Sequence, residues 1–309
     1  MNFIVLNFTT MKNLFLFIFM ICPFFLTAQS KKEKGSKWVN GTQLEYQMYG
    51  KGEPLIVLHG GPGMDASYLS PGIDKLGKLY SVVVYNQRGS DNLLAKPDTL
   101  KLNADQFVED LEGLRKALGL DKINVMGHSW GGLLAMKYAV RYPQHLKTMI
   151  LVSTASADAA AGEVTQKIFM ERLSQEDRNA YLQMISEGYH TSKNGIIALS
   201  KIHWKPYVYQ ASHTDMIKDA YSEDMFLIQH HINKSIEGYD LHRQLSELEI
   251  PTLIIHGDYD PIPMEAIQKI HHSLDRSQLV VIRDCGHFPF IEQPDKFVEI
   301  ITVFNKINK

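Results

Sequence analysis

The residues best suited to do chemistry are a serine, a pair of aspartates and a histidine, in that order along the chain. Ser129 stands in Gly127-His128-Ser129-Trp130-Gly131, a Gly-x-Ser-x-Gly run. A hydroxyl is a weak nucleophile at neutral pH and needs a base beside it. His287, in Asp284-Cys285-Gly286-His287, is the candidate base. An imidazole that takes up a proton needs a carboxylate to fix its tautomer and stabilise its cation. Gly257-Asp258-Tyr259-Asp260 offers Asp258 and Asp260. The chemistry this implies is attack on a carbonyl carbon. The carbonyl oxygen then becomes an anion that backbone N–H groups must receive. One donor is expected at Trp130, directly after the nucleophile. The other is expected in His59-Gly60-Gly61-Pro62-Gly63, most simply at Gly61, because Pro62 has no N–H.

These residues need elements to hold them. Residues 55–58, 81–85, 123–126 and 149–152 are short apolar runs, rich in β-branched residues and without alternation. Such runs predict strands buried on both faces of a parallel sheet. The Gly-x-Ser-x-Gly run follows the third strand and precedes a helical pattern (Leu133, Leu134, Met136, Ala139, Val140) that stops before Pro143. Strand, tight turn and helix are the context this motif requires. A helix is also expected through Phe107, Leu111, Leu114 and Leu118, with Asn103 as N-cap and Gly119 at its end. Residues 252–256 form a strand leading to the aspartates, 264–271 a helix, 279–282 a strand leading to His287, and 290–307 one closing helix. Each candidate thus falls at the C-terminal end of a strand, where open α/β sheets carry their sites. The alternation predicts a mostly parallel, doubly wound α/β sheet. Residues 156–245 differ: rich in Met, Gln, Tyr and His, without a clear buried strand, they read as an inserted helical cap. The core is then 37–155 and 246–309, and residues 30–36 are a polar, mobile lead-in.

With these pieces assembled, the chain resembles the α/β-hydrolase superfamily, and within it the proline iminopeptidase-like group. The resemblance is carried by His59-Gly60-Gly61-Pro62-Gly63, Gln87-Arg88-Gly89-Ser90, Gly127-His128-Ser129-Trp130-Gly131-Gly132, His256-Gly257-Asp258-Tyr259-Asp260 and the stretch from Cys285 to Pro294. It implies an α/β-hydrolase fold, Asp260 rather than Asp258 as the acid, and Gly61 and Trp130 as the oxyanion donors. Two departures stand out: Asn86 where relatives have Asp, and Asp91 where they have Gly. Aminopeptidases of this group hold the substrate's free amino group with cap carboxylates. Of the cap acids here, Glu171, Glu187, Glu223, Asp224 and Glu237, none matches those motifs, and each reads as a solvated surface charge.

The expected function is a serine hydrolase working through an acyl-enzyme, first as an aminopeptidase on short peptides. Two alternatives are a carboxylesterase or lactonase on small esters, and a non-catalytic ligand-binding protein of the same fold. No cofactor and no metal are implied: the pairs His230-His231 and His271-His272 do not have the i, i+4 spacing of helical zinc sites. The net charge of −2, with 45% hydrophobic and 21% charged residues, gives no electrostatic grip on nucleic acid. Met11 to Ser30 reads as a secretory signal cleaved after Ala28, so 1–28 would leave an exported, periplasmic or secreted protein without a membrane span. Cys285 then remains alone, a buried filler rather than a second nucleophile.

Overall fold

Residues Ile123–His128 are buried without exception. In the computed structural model, which describes residues 32–70, 72–90, 97–217 and 219–308, they form the strand at the centre of the site, β5. The signal expected at 1–28 lies outside the described residues. Around β5 runs an eight-stranded sheet, in the order β1-β2-β4-β3-β5-β6-β7-β8. The strands are β1 (Glu33–Val39), β2 (Thr42–Gly50), β3 (Glu53–Leu58), β4 (Tyr80–Tyr85), β5, β6 (Leu146–Val152), β7 (Thr252–Gly257) and β8 (Ser277–Ile282). From β4 to β8 all pairings are parallel; β2 pairs antiparallel with both β1 and β4.

Two antiparallel strands at the start are thus added to the expected parallel set. Residues 33–36 are not a mobile lead-in: Glu33 to Ser36 pair in register with Met48 to Glu45. The charges that suggested a mobile segment are of the kind that blunts an edge strand, whose ladder needs no apolar face.

Helices α1 (Ala104–Ala117) and α2 (Trp130–Arg141) cover one face of the sheet together with α8 (Met264–Ser273). Asn103 caps α1 by accepting from the Gln106 N–H at 2.9 Å, and Gly119 follows its end at φ 68°. The expected closing helix is divided into α9 (Pro289–Glu292) and α10 (Pro294–Ile307). Gln293, at φ −136° and ψ 57°, breaks it, because proline excludes helical backbone from the residue before it. Phe290, Phe297, Ile301 and Phe304 of this pair fill the core on the other face.

Between β6 and β7 lie α3 (Ala161–Arg172), α4 (Gln175–Ser186), α5 (Lys193–His203), α6 (Met225–Ser235) and the single turn α7 (His242–Leu245). This insertion has no strand among its described residues; the isolated bridge of Met64 with Tyr221 joins it to the rest, and that of Asp158 with Asp240 ties its two ends together.

Candidate active site

Ser129 is the residue between β5 and α2, with φ 55° and ψ −121°. That backbone is strained for a residue with a Cβ, by roughly 1–3 kcal/mol. The turn is over-determined. The Ser129 N–H donates to the Val152 carbonyl at 3.1 Å, and the Ser129 carbonyl accepts from Gly132 and Ala155, each at 2.9 Å. Both motif glycines are sterically required. A Cβ on Gly127 would collide with the Gly131 carbonyl, and one on Gly131 with the carbonyls of Leu58 and His59.

The turn after β8 carries His287. Its Nδ1 lies 2.8 Å from Oδ2 of Asp260, which follows β7. Asp260 is buried, and its Oδ1 accepts from the Ile262 N–H at 3.0 Å. Burial alone would raise its pKa. The facing imidazoles of His287 and His256 and the Ile262 N–H outweigh that and bring it down to about 2. Asp258, the other aspartate of the turn, faces elsewhere, with Oδ1 3.4 Å from the Cys285 N–H. The Cys285 thiol is buried and its pKa is pushed up by that burial, with Glu292 the next contributor.

Gly61 sits in a turn closed by the Met64 N–H donating to its carbonyl at 2.7 Å. Its neighbour's N–H is already used: Gly60 donates to the Tyr68 hydroxyl at 2.6 Å. Trp130 is the first residue of α2, where an N–H has no partner within the helix.

Three supporting groups carry no role in the sequence reading. The first is a relay through His128. Tyr68, whose hydroxyl accepts from Gly60, lies 2.8 Å from His128 Nδ1, and His128 Nε2 lies 2.8 Å from the His287 carbonyl. With Nε2 protonated, His128 donates to the base's own backbone and accepts from the tyrosine. Burial, then the neighbouring His287, holds its pKa down to about 3, so it stays neutral. The second group is Gln87. It receives the Trp130 indole N–H at 2.9 Å, donates to the His59 carbonyl at 2.8 Å and gives its backbone N–H to His59 Nε2 at 3.0 Å. It therefore ties the two expected oxyanion segments together. The third is Glu292, whose carboxylate accepts from Gly286 and Phe288, on either side of His287, and from Tyr209 of the insertion. Glu292 lies inside the motif around His287, so its spacing was visible. Tyr68 left no signal, because its partners are remote in sequence. Asn86, the first departure, keeps an acceptor in place: its Oδ1 receives the Ala66 N–H at 3.1 Å. Asp91, the second, lies outside the described residues.

The insertion closes over these groups. The His287 N–H donates to the Tyr207 carbonyl at 2.7 Å, and Arg172 reaches the carbonyls of Tyr259 and Asp260. A cavity of about 250 Å³ lies beneath it, lined by Gly61, Ser129, Trp204, Tyr207, Met225 and His287. A wider cavity of about 510 Å³ shares Ser129, Tyr207 and His287 and is also lined by Asp158 and Glu237. Of the insertion's acids, Glu171 and Glu223 sit on the surface near Lys167 and Lys193. Glu237 is exposed at its own position yet borders the cavity that contains Ser129. Asp158 is engaged by Lys269 and His242.

Residues 53–294 match the family model described as alpha/beta hydrolase fold. The chain is 29% identical to a proline iminopeptidase of Saccharolobus solfataricus over 285 residues, covering 88% of this chain and 92% of that one. It is similar in structure to an alpha/beta fold family hydrolase from Bacillus anthracis, with a TM-score of 0.74 and 20% identity over 88% of this chain and 99% of the other. A proline iminopeptidase from Mycobacterium smegmatis superimposes with a TM-score of 0.69 and 21% identity, over 89% of this chain and 98% of the other. At those identities the structural likeness concerns the fold.

Proposed function

The chain is a hydrolase of the alpha/beta hydrolase fold family, and we propose that it is a serine aminopeptidase, similar to proline iminopeptidases, acting on short peptides. The observation that carries this reading is that one cavity is bordered by Ser129, the Asp260-paired His287 and Glu237. A nucleophile and base beside a carboxylate suit a substrate that brings a carbonyl and a free ammonium together.

In this mechanism the Ser129 hydroxyl attacks the scissile carbonyl carbon and passes its proton to His287 Nε2. Asp260 holds the Nδ1–H and stabilises the imidazolium. The N–H groups of Gly61 and Trp130 receive the oxyanion. His287 then gives the proton to the leaving nitrogen, the C–N bond breaks and an acyl-enzyme on Ser129 remains. Water, activated by His287, attacks the ester and releases the acid with the serine regenerated. The low pKa of Asp260 suits this role, because the carboxylate stays charged when the imidazole is protonated.

Prolyl-β-naphthylamide and a p-nitrophenyl ester separate the readings. The aminopeptidase turns over both, and Glu237→Gln raises KM for the naphthylamide while sparing the ester. Ester turnover with no cleavage of any aminoacyl-naphthylamide would overturn the peptidase assignment in favour of an esterase.

A further inference from the structure

Ser129 lies where two cavities of different character meet. The wider one is bordered by exposed residues, among them Asn233, Glu237 and Gly238, and so opens to solvent. The narrower one leads under the insertion, and a third space adjoins it. This third space is a chamber of about 290 Å³ inside the helical insertion, between α4, α5 and α6. The chamber and the Ser129 cavity share four lining residues: His203, Trp204, Met225 and Gln229.

The chamber's wall is mostly apolar, with a few uncharged polar and histidine side chains. Ile185, Ile196, Leu199 and Phe226 line it beyond the shared wall, and no Asp, Glu, Lys or Arg does. Of the polar atoms near it, the Trp204 indole N–H donates to the Tyr221 hydroxyl at 2.8 Å and the Ser200 hydroxyl to the Ile197 carbonyl at 2.8 Å, whereas Nδ1 of His190, also in the wall, is buried without a hydrogen-bond partner among the described residues. His203 is neutral, its pKa brought to about 4 by burial and then by His287. Such a space favours an uncharged, apolar group. A cavity of about 150 Å³ lined by aliphatic and aromatic side chains accepts benzene. This chamber is nearly twice that, more than a pyrrolidine ring requires. Met225, part of the shared wall, has an unbranched side chain that can turn aside without a large cost.

Orientation follows from solvent. After the first step the leaving group must depart and water must enter, while the acyl group stays bound to Ser129. The wider, more open cavity serves that exchange and borders Glu237 on the side of the ammonium, and the narrower arm is left for the side chain of the acyl group.

We propose that the chamber between α4, α5 and α6 is an acyl-side specificity pocket, which receives a large apolar group of the substrate, aromatic or long aliphatic, reaching from Ser129 past Met225. This rests on the serine hydrolase reading given above and names the substrate class of the same site.

The test uses p-nitrophenyl acetate, butyrate and octanoate, with prolyl- and phenylalanyl-β-naphthylamide as the peptide-like pair. Wild type should prefer the larger acyl group in both series, by about tenfold or more in kcat/KM. Leu199→Trp and Ile196→Trp each fill the chamber, and each should lower the octanoate-to-acetate ratio about tenfold. The ratio is the readout, so a general loss of activity in one variant does not count. A wild type that prefers acetate, or ratios unchanged in both filled variants, would overturn the proposal. So would filled variants that penalise large leaving groups instead of large acyl groups. Failure of the underlying reading looks different: acetate turnover that survives in Ser129→Ala.

Discussion

The sheet and the insertion hold the site by different means. At the ends of the strands the reacting groups are fixed by backbone: Ser129 by Val152, Gly132 and Ala155, and Asp260 by Ile262. In the insertion, rings do the positioning. The His203 ring packs tilted or edge-on within 5.2 Å of the rings of Phe169, Trp204 and Tyr207, and the Tyr207 ring lies 5.1 Å from that of His287. Backbone hydrogen bonds in buried strands leave few alternatives, whereas packed rings can re-pack. On the proposed function the difference separates chemistry from selectivity: the strand ends would set what the site does, and the insertion what reaches it.

That contrast can be broken at several levels. The largest effect is expected at the sheet. Asp260→Asn keeps the shape but presents the wrong donor to His287, and kcat should fall about ten thousandfold. Steady-state kinetics on a small ester checks this; a loss of less than tenfold would mean that Asp260 does not orient the base.

Next comes Glu292, which joins the two regions. A glutamine puts an NH₂ among the N–H groups of Gly286, Phe288 and Tyr209. The loop carrying His287 should shift, with kcat lowered about a hundredfold and KM for a small ester little changed. A variant with normal kcat would show that the loop is held without this carboxylate.

Histidines held neutral give a pH signature in both regions. His59 and His128 in the core and His203 in the insertion have pKa values brought down to about 4, 3 and 4 by burial. Below an ordinary value near 6.5 the unfolded chain takes up protons that these folded sites refuse. Their cost to stability is therefore absent above about pH 6.5 and grows as pH falls toward 4. Asp260 acts in a separate window, since its stabilisation is lost only as pH falls from below 4 toward 2. His203→Phe should flatten the dependence of the urea midpoint between pH 6.5 and 4 by one proton, about 1.4 kcal/mol per pH unit. An unchanged slope would mean that His203 is not held neutral.

The smallest effects compare helix caps. Asn103 caps α1 beside the sheet, and Ser192 caps α5 in the insertion. Each alanine substitution should cost about 1 kcal/mol. Equal shifts in one thermal transition would mean that the regions melt together. A separate early transition moved only by Ser192→Ala would show the insertion unfolding by itself.

What the sequence disclosed follows the same division. β3, β5, β6 and β7 announced themselves as unbroken apolar runs because they are buried on both faces, and the order of Ser129, Asp260 and His287 came with them. β1 and β2 did not: β1 is a polar edge strand, and β2 beside it is only partly buried, so neither is an unbroken apolar run. In the insertion, α4 buries none of its residues fully, which leaves little periodicity to read. Asp258 and Asp260 share one turn, and no local pattern separates them; the family resemblance pointed to Asp260, and the packed turn places it against His287. The part played by His128 depends on Tyr68, sixty residues away, a pairing that no local pattern reveals.

The central claim is that Ser129 is a nucleophile activated by His287 and Asp260. Labelling with a fluorophosphonate probe, read by intact mass and peptide mapping, tests it most directly. The account predicts one adduct, on Ser129, absent from a folded Ser129→Ala variant and strongly slowed in Asp260→Asn. A folded wild-type protein that takes up no label, or a Ser129→Ala variant labelled as fast as wild type, would contradict it.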